Sequence, residues 1–297
     1  MNDRIKAAVW GSYIADALAL GVHWVYNTRV IDKKFGRVEG YLDPMTSFHK
    51  GKRAGEQTHY GDQMQVLMDS AAAVSGFDLE DFSGRWRKMF KSYTGYFDHA
   101  TKDTLKNLSA GKDITTCGST SDDLAGASRI APLFPVYAND PEKLVAAARK
   151  QTAFTHNHVD VIAAAEFFAR TTAAVLAGAN PLEAVDTVVE DHFKGSTIET
   201  LVMDGLDSRE METRQTIADF GQVCSVEAAL PGVIHLIARH TDDFKEALVE
   251  NIMAGGDSAA RGMPVAMILG AHLGMDAIPG PWLEGLASRE LVEQFLP

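Results

Sequence analysis

Apolar residues recur at three- and four-residue intervals in almost every hydrophobic segment of the chain, and no run of alternating β-branched residues competes with them. That period confines the chain to helices. Segments rich in Ala, Leu, Met and Glu predict helices over Arg4–Gly21, Gln63–Val74, Leu79–Tyr93, Asp123–Leu133, Glu142–Ala153, His158–Ala177, Leu182–Val189, Val226–Arg239, Phe244–Ile252 and Ser258–Leu273. Turn sequences such as NDPE, GANPLE and HTDDF separate them. The section from Tyr26 to Gly61 has no sustained period, and a loop of that length in a compact domain is functional or mobile. No composition break, low-complexity tract or internal repeat divides the chain, so residues 1–297 are expected to form one all-α domain, a single compact multi-helix bundle.

With 46% hydrophobic residues, the 297-residue chain can bury a sizeable core. Its formal charge of −12 opposes affinity for phosphate backbones and anionic lipid, so neither nucleic acid nor a membrane is an expected partner. Cys117 and Cys224 form no Cys-x-x-Cys or Cys/His pattern, which argues against a disulfide framework or a zinc ribbon and fits a reducing compartment. The N-terminal segment is interrupted by Asp3 and Asp16 and lacks a small-residue cleavage site, and the apolar stretch VIAAAEFFARTTAAVLAG carries Glu166 and Arg170 at i, i+4. These features predict a cytoplasmic protein.

Polar residues stand out at several helix ends. Asp16 interrupts a helix otherwise built of Ala, Leu and Ile, so its carboxylate must find a partner or face a cleft. His23 follows as a general base or a satisfied core histidine. Asp62 opens a helix after Gly61, as a cap or an acid. In TSDDLAGASRIAPLF, Ser121 and Asp122 can cap a helix carrying Arg129; in FTHNHVDVIAAA, Asn157 can cap the next helix, with His156 and His158 at its lip. Asp257 in GGDSAARG is either an N-cap or a member of a metal-binding or catalytic cluster.

The order and glycine context of these segments resemble the ADP-ribosylglycohydrolase family, which includes the enzyme that removes ADP-ribose from dinitrogenase reductase. The resemblance rests on ADALALG, GDQM, ASRIAPL, THNH and GGDSAARG followed by LGAHLGMDAIPGPW, and runs from Trp10 to Trp282. It implies an all-α hydrolase of a glycosidic bond to ribose, acting on a small-molecule or ADP-ribosylated ligand. It also implies a pair of magnesium ions held between an early Thr-Asp-Asp-Thr and a late Asp-Thr-Asp-Thr cluster.

This chain departs from that pattern at three segments. The late cluster reads Asp257, Ser258, Ala259, Ala260; the early one reads His59, Tyr60, Gly61, Asp62; and His23 stands where the family carries a glutamate after its first helix. Magnesium requires an octahedron of hard oxygen ligands, so Asp62 and Asp257 are expected to hold one ion at most, weakly. Arg261, at i+4 from Asp257, is placed to pair with it or to clamp an anion. The resemblance thus implies Asp62, Asp257, His23 and Asp16 as catalytic residues around one cleft, with Arg261, Ser258, Ser121, Arg129 and His156 contacting ligand. Asp122 and Asp123 bring negative charge where the family lines a diphosphate. The altered clusters, with GVHW and YGDQ, resemble the branch containing lens crystallins and a selenoprotein, so a catalytically silent ligand-binding or structural protein is the alternative reading.

Overall fold

The computed structural model describes residues 2–296; Met1 and Pro297, the ends of the expected 1–297 domain, lie outside the described residues. Helices connected by turns and loops form the fold, and the described residues contain no strand, only isolated bridging pairs.

The organising element is the Ser258–Leu273 helix, buried from Ser258 to Ala271. It packs on the helices Asp3–Ala19, Val159–Leu176, Val226–Arg239 and Phe244–Met253, which explains why its sequence is apolar all round. Its closest partner is Asp3–Ala19, and small residues set the approach. A Cβ on Gly11 would stand 2.7 Å from the Ala266 carbonyl oxygen, one on Gly270 would stand 2.5 Å from that of Ala7, and one on Gly262 would stand 3.4 Å from Ala15 Cβ. As one number rises the other falls, so the two helices run antiparallel. Pro264 lies inside the central helix and cannot donate to the Ala260 carbonyl four residues back. The Ser128 hydroxyl donates to that carbonyl instead, at 2.7 Å.

The section from Tyr26 to Gly61 is ordered by contacts with the distant end of the chain. It contains a helix, Thr28–Phe35, and a 3-10 turn, Ser47–His49. Arg37 pairs with Glu246 and Glu250, each at 2.6 Å, Tyr41 donates to the Trp282 carbonyl at 2.7 Å, and Ala287 N donates to the Gly55 carbonyl at 2.9 Å.

Two sequence expectations need correction here. Thr58, and not Asp62, caps the helix His59–Val74, its hydroxyl accepting from Tyr60 N at 3.1 Å. The helix expected over Asp123–Leu133 is reduced to the single turn of α-helix Ala125–Ser128 and the 3-10 turn Ala131–Leu133, because Pro132 cannot donate to the Ser128 carbonyl four residues back. The Glu166–Arg170 pair forms as the sequence suggests, at 2.9 Å. Among the described residues, no helix is long and apolar enough to cross a membrane.

Candidate active site

Four short segments meet at the N-terminal end of the central helix. Trp24 N donates to the Gly256 carbonyl at 2.9 Å and Gly256 N to the Val25 carbonyl at 3.0 Å, tying the His23 segment to the Asp257 segment. Leu124 N donates to the Cys224 carbonyl and Val226 N to the Asp122 carbonyl, both at 2.8 Å, and Asp257 N donates to the Gln222 carbonyl at 2.8 Å. The two glycines of GGD are required by this junction. Gly255 and Gly256 have φ of +68° and +65°, and a Cβ on Gly256 would collide with the Gln222 backbone. Trp24, a residue with a bulky side chain, is also held at φ +62°, a conformation retained only where its surroundings enforce it.

Asp257 is the N-cap of the central helix, and it is also the hub of a buried network. Its Oδ1 accepts from Ala260 N at 3.0 Å and lies 3.0 Å from His23 Nε2; its Oδ2 accepts from the Tyr60 hydroxyl at 3.0 Å. The same hydroxyl lies 3.2 Å from Asp123 Oδ2. On the other side of His23, Nδ1 lies 2.8 Å from His49 Nε2. Burial raises the proton affinity of the Asp257 carboxyl, but His23, Ala260 N and Arg261 outweigh it and hold the group ionised, well below the usual carboxylate range. Asp123 moves the other way. Burial first, and then the charge of Asp257, push it well above that range. The surroundings therefore drive the two carboxyls in opposite directions, with Tyr60 between them. With Asp257 ionised, His23 Nε2 is the donor to it, leaving Nδ1 to face His49.

Asp123 forms part of the wall of a cavity of 490 Å³. Trp24, Tyr26, Phe48 and Tyr96 supply aromatic surface to it, and Asp98, Asp103, Asp122 and Asp123 supply carboxylates; His99, Ser119, Thr120, Ser121 and Cys224 complete the polar lining. Among the described residues lining it there is no lysine or arginine. Asp98 is 6% exposed, and its Oδ2 has no hydrogen-bond partner. Burial, followed by Asp123 and Asp257, pushes the Cys224 thiol far up, so it is a thiol and not a thiolate.

The expected catalytic residues do not all converge. His23 and Asp257 meet directly. Asp16 is fully buried, accepting from Thr58 N at 2.7 Å and from Thr58 Oγ1 at 2.6 Å, so it fastens the first helix to the start of the helix His59–Val74 and does not line the cavity. Asp62 leaves its helix about 200° round the axis from Tyr60. It lies in a different hollow, paired with Lys52 at 2.7 Å and accepting from the Tyr93 hydroxyl.

The expected ligand contacts are similarly divided. Ser121 lines the cavity. Arg261 makes no ion pair with Asp257; its Nη2 donates to the carbonyls of Gly255 and Asn251, and the side chain is wholly buried. The i, i+4 spacing permits the pair, but those two carbonyls lie closer to the guanidinium and capture it. Ser258 is buried with its hydroxyl unpartnered, Arg129 is buried and donates to Thr155 Oγ1 at 2.6 Å, and His156 is buried beside Thr155 at 2.9 Å.

These positions test the fit of a magnesium pair, and the fit fails. Both Asp257 oxygens are engaged by protein donors, and Tyr60 occupies the space between the two remaining carboxylates. A Cβ on Gly61 would collide with Asp16 Oδ2 and Gln57, so no acid fits there without rearrangement. Ala259 and Ala260 offer no side-chain oxygen, and Asp62 faces elsewhere. The expected single ion shared by Asp62 and Asp257 is excluded by the same separation.

Sequence reasoning passed over Tyr60, His49, His59, Trp24, Tyr96 and Asp98. Tyr60 carried a signal, since it stands in the early cluster; His49 lay in an aperiodic segment and Tyr96 in a short loop, where no spacing marks a site.

Comparison with known proteins places this geometry in context. The model of the ADP-ribosylglycohydrolase family matches residues 1–296. Crystallin J1A of Tripedalia cystophora is 23% identical over 321 residues, with 99% of this chain and 95% of that protein covered. An uncharacterized protein of Archaeoglobus fulgidus is 27% identical over 306 residues, with 99% and 95% covered. A solved structure described as an ADP-ribosylglycohydrolase-related protein complex superposes with a TM-score of 0.76 at 24% identity, covering 99% of this chain and 95% of that one, and so shares the fold.

Proposed function

The chain belongs to the ADP-ribosylglycohydrolase family, and we propose that it hydrolyses a glycosidic bond to ribose in an ADP-ribose-like or related ligand without a magnesium pair. The observation that carries this reading is the unequal carboxyl pair: Asp123 at the cavity wall, pushed toward its acid form, Asp257 behind it, held toward its carboxylate, and the Tyr60 hydroxyl touching both. Two carboxyls whose surroundings drive their proton affinities apart are the arrangement that acid–base chemistry at neutral pH requires.

In this reading Asp123 gives its proton to the leaving atom as that atom's bond to the anomeric carbon breaks. Water forms the new bond to that carbon and yields its proton to Asp98, whose Oδ2 is unpartnered. Proton exchange with solvent then returns Asp123 to its acid form and Asp98 to its carboxylate. Asp257, out of contact with the cavity, acts as a positioning residue through Tyr60. Aromatic walls suit a base or sugar face, while the surplus of carboxylates favours a neutral or cationic leaving group and, within the proposed range, a riboside related to ADP-ribose that lacks its diphosphate.

A panel of ADP-ribose conjugates, ribonucleosides and cationic N-ribosides, each offered with and without magnesium, tests the proposal. Turnover independent of magnesium and at least 100-fold slower in Asp123→Asn supports it; an unchanged rate in that variant overturns the assignment of the acid. The complete burial of Asp257, His23 and Arg261 favours a second reading, a silent ligand-binding member of the family. Binding of a panel compound without turnover would establish that one.

A further inference from the structure

Three histidines from three separate segments converge behind the aromatic wall. His23 follows the first helix, His49 ends the 3-10 turn of the long loop, and His59 opens the next helix. They are 0%, 2% and 1% exposed, and each offers a ring nitrogen lying within 4.8 Å of the other two. Their rings are close to parallel, with centroids 5.1 Å apart for His23 and His49, whose nitrogens meet edge to edge at 2.8 Å, and 5.5 Å for His49 and His59. The decisive observation is His59: neither ring nitrogen has a hydrogen-bond partner although the side chain is wholly enclosed. A buried imidazole ordinarily satisfies at least one nitrogen; here Nε2 has only Asp98 Oδ2 at 3.4 Å, outside hydrogen-bond geometry, and Nδ1 has no partner, which leaves a nitrogen free for an occupant.

We infer that His23, His49 and His59 form a binding site for one divalent transition-metal ion of the zinc class. Imidazole nitrogen is the donor that zinc, copper and nickel prefer and that magnesium and calcium do not. The carboxylates are arranged as outer partners. His23 Nε2 is held by Asp257 at 3.0 Å, which turns Nδ1 toward His49, and His59 Nε2 lies 3.4 Å from Asp98 Oδ2. Carboxylate–histidine–metal relays of this kind orient the ligating ring and offset the charge of the ion. Ligands about 2.0–2.1 Å from a tetrahedral zinc are roughly 3.3 Å from one another. His23 Nδ1 and His49 Nε2, now 2.8 Å apart, would open by about half an ångström to admit it.

The test is independent of the hydrolase reading, because metal uptake is measured without substrate, although Asp98 and Asp257 take part in both. A second triad, Asp123, Cys224 and Asp257, also has ligand atoms within 4.8 Å, but its oxygens are bonded to Tyr60, Ala125 N, Ala260 N and His23. The test is equilibrium dialysis of the chelator-stripped full chain against Zn²⁺, with X-ray absorption at the zinc edge of the loaded protein. We expect one zinc per chain, a nitrogen/oxygen shell without sulfur, and affinity reduced at least 100-fold in His59→Gln and His49→Gln. Asp257→Asn should weaken it 10- to 100-fold, and Cys224→Ser should leave it unchanged. Circular dichroism of each variant confirms that it folds, and the absorption spectrum of the unaltered protein carries the test if one does not. Uptake well below one equivalent, a sulfur ligand, or zinc binding that survives in folded His59→Gln would overturn the inference.

Discussion

The Tyr60 hydroxyl donates to Asp257 Oδ2 at 3.0 Å from the position where the family resemblance implies a metal-binding aspartate. His23, at the position of the missing glutamate, bonds the same carboxylate. Two of the three departures from the family pattern therefore meet in the structure, and each satisfies a charge that a metal would otherwise neutralise. Removing the hydroxyl in Tyr60→Phe leaves a buried carboxylate short of a donor, and urea unfolding should show a loss of about 1–3 kcal/mol. Undiminished stability would mean that the hydrogen bond has no energetic role.

Gly61 is a second consequence of the same rearrangement. Because a Cβ there would meet Asp16 and Gln57, Gly61→Ala should be destabilised by about 1–3 kcal/mol, and Gly61→Asp more. A neutral effect on the midpoint of denaturation would show that Gln57 yields readily and that the glycine is not a packing requirement.

The buried carboxyl of Asp16 should give stability a distinctive pH dependence. Burial raises it from 3.8 to about 6, against the opposing hydrogen bonds from Thr58. The folded state thus binds this proton more tightly than the unfolded chain. Its contribution is fully present below pH 3.8 and is lost as pH rises through 6, by about 3 kcal/mol in total. Asp16→Asn cannot titrate, so relative to the unaltered protein it should gain stability progressively from pH 4 to 7. A pH-independent difference between the two would count against the buried acid.

His156 should act in the opposite direction. Burial, reinforced by Arg129, lowers it to about 3, so the folded protein keeps it neutral while the unfolded chain protonates near 6.5. Its stabilisation is present above pH 6.5 and falls as the solution is acidified toward 3, by up to about 1.4 kcal/mol per pH unit. The difference in unfolding free energy between His156→Gln and the unaltered protein should narrow over that range. A constant difference would place a charged imidazole in the fold.

The helical class was legible because the apolar period is strong in the long buried elements, Ser258–Leu273 above all. The helices His99–Ser109 and Thr213–Phe220 were not, being short and polar, with apolar stripes too sparse to register. At the site, Asp257 and His23 could be singled out as polar residues in apolar or glycine-rich surroundings. Asp62 misled because sequence adjacency to Tyr60 conceals a near-opposite direction around the helix. Arg261 misled because spacing cannot register the carbonyls of Asn251 and Gly255 that compete for its guanidinium. Asp123 read only as added negative charge, because its bond to Tyr60 depends on a contact 63 residues distant.

The central claim is that a network of Asp257, Tyr60, His23 and Asp123 stands where the family carries its magnesium pair and leaves no place for that pair. Calorimetric titration of the unaltered protein with Mg²⁺ tests it most directly. The account predicts no saturable uptake in the micromolar range, since both Asp257 oxygens are engaged and Asp62 is committed to Lys52. Uptake of two magnesium ions per chain at micromolar affinity would contradict it.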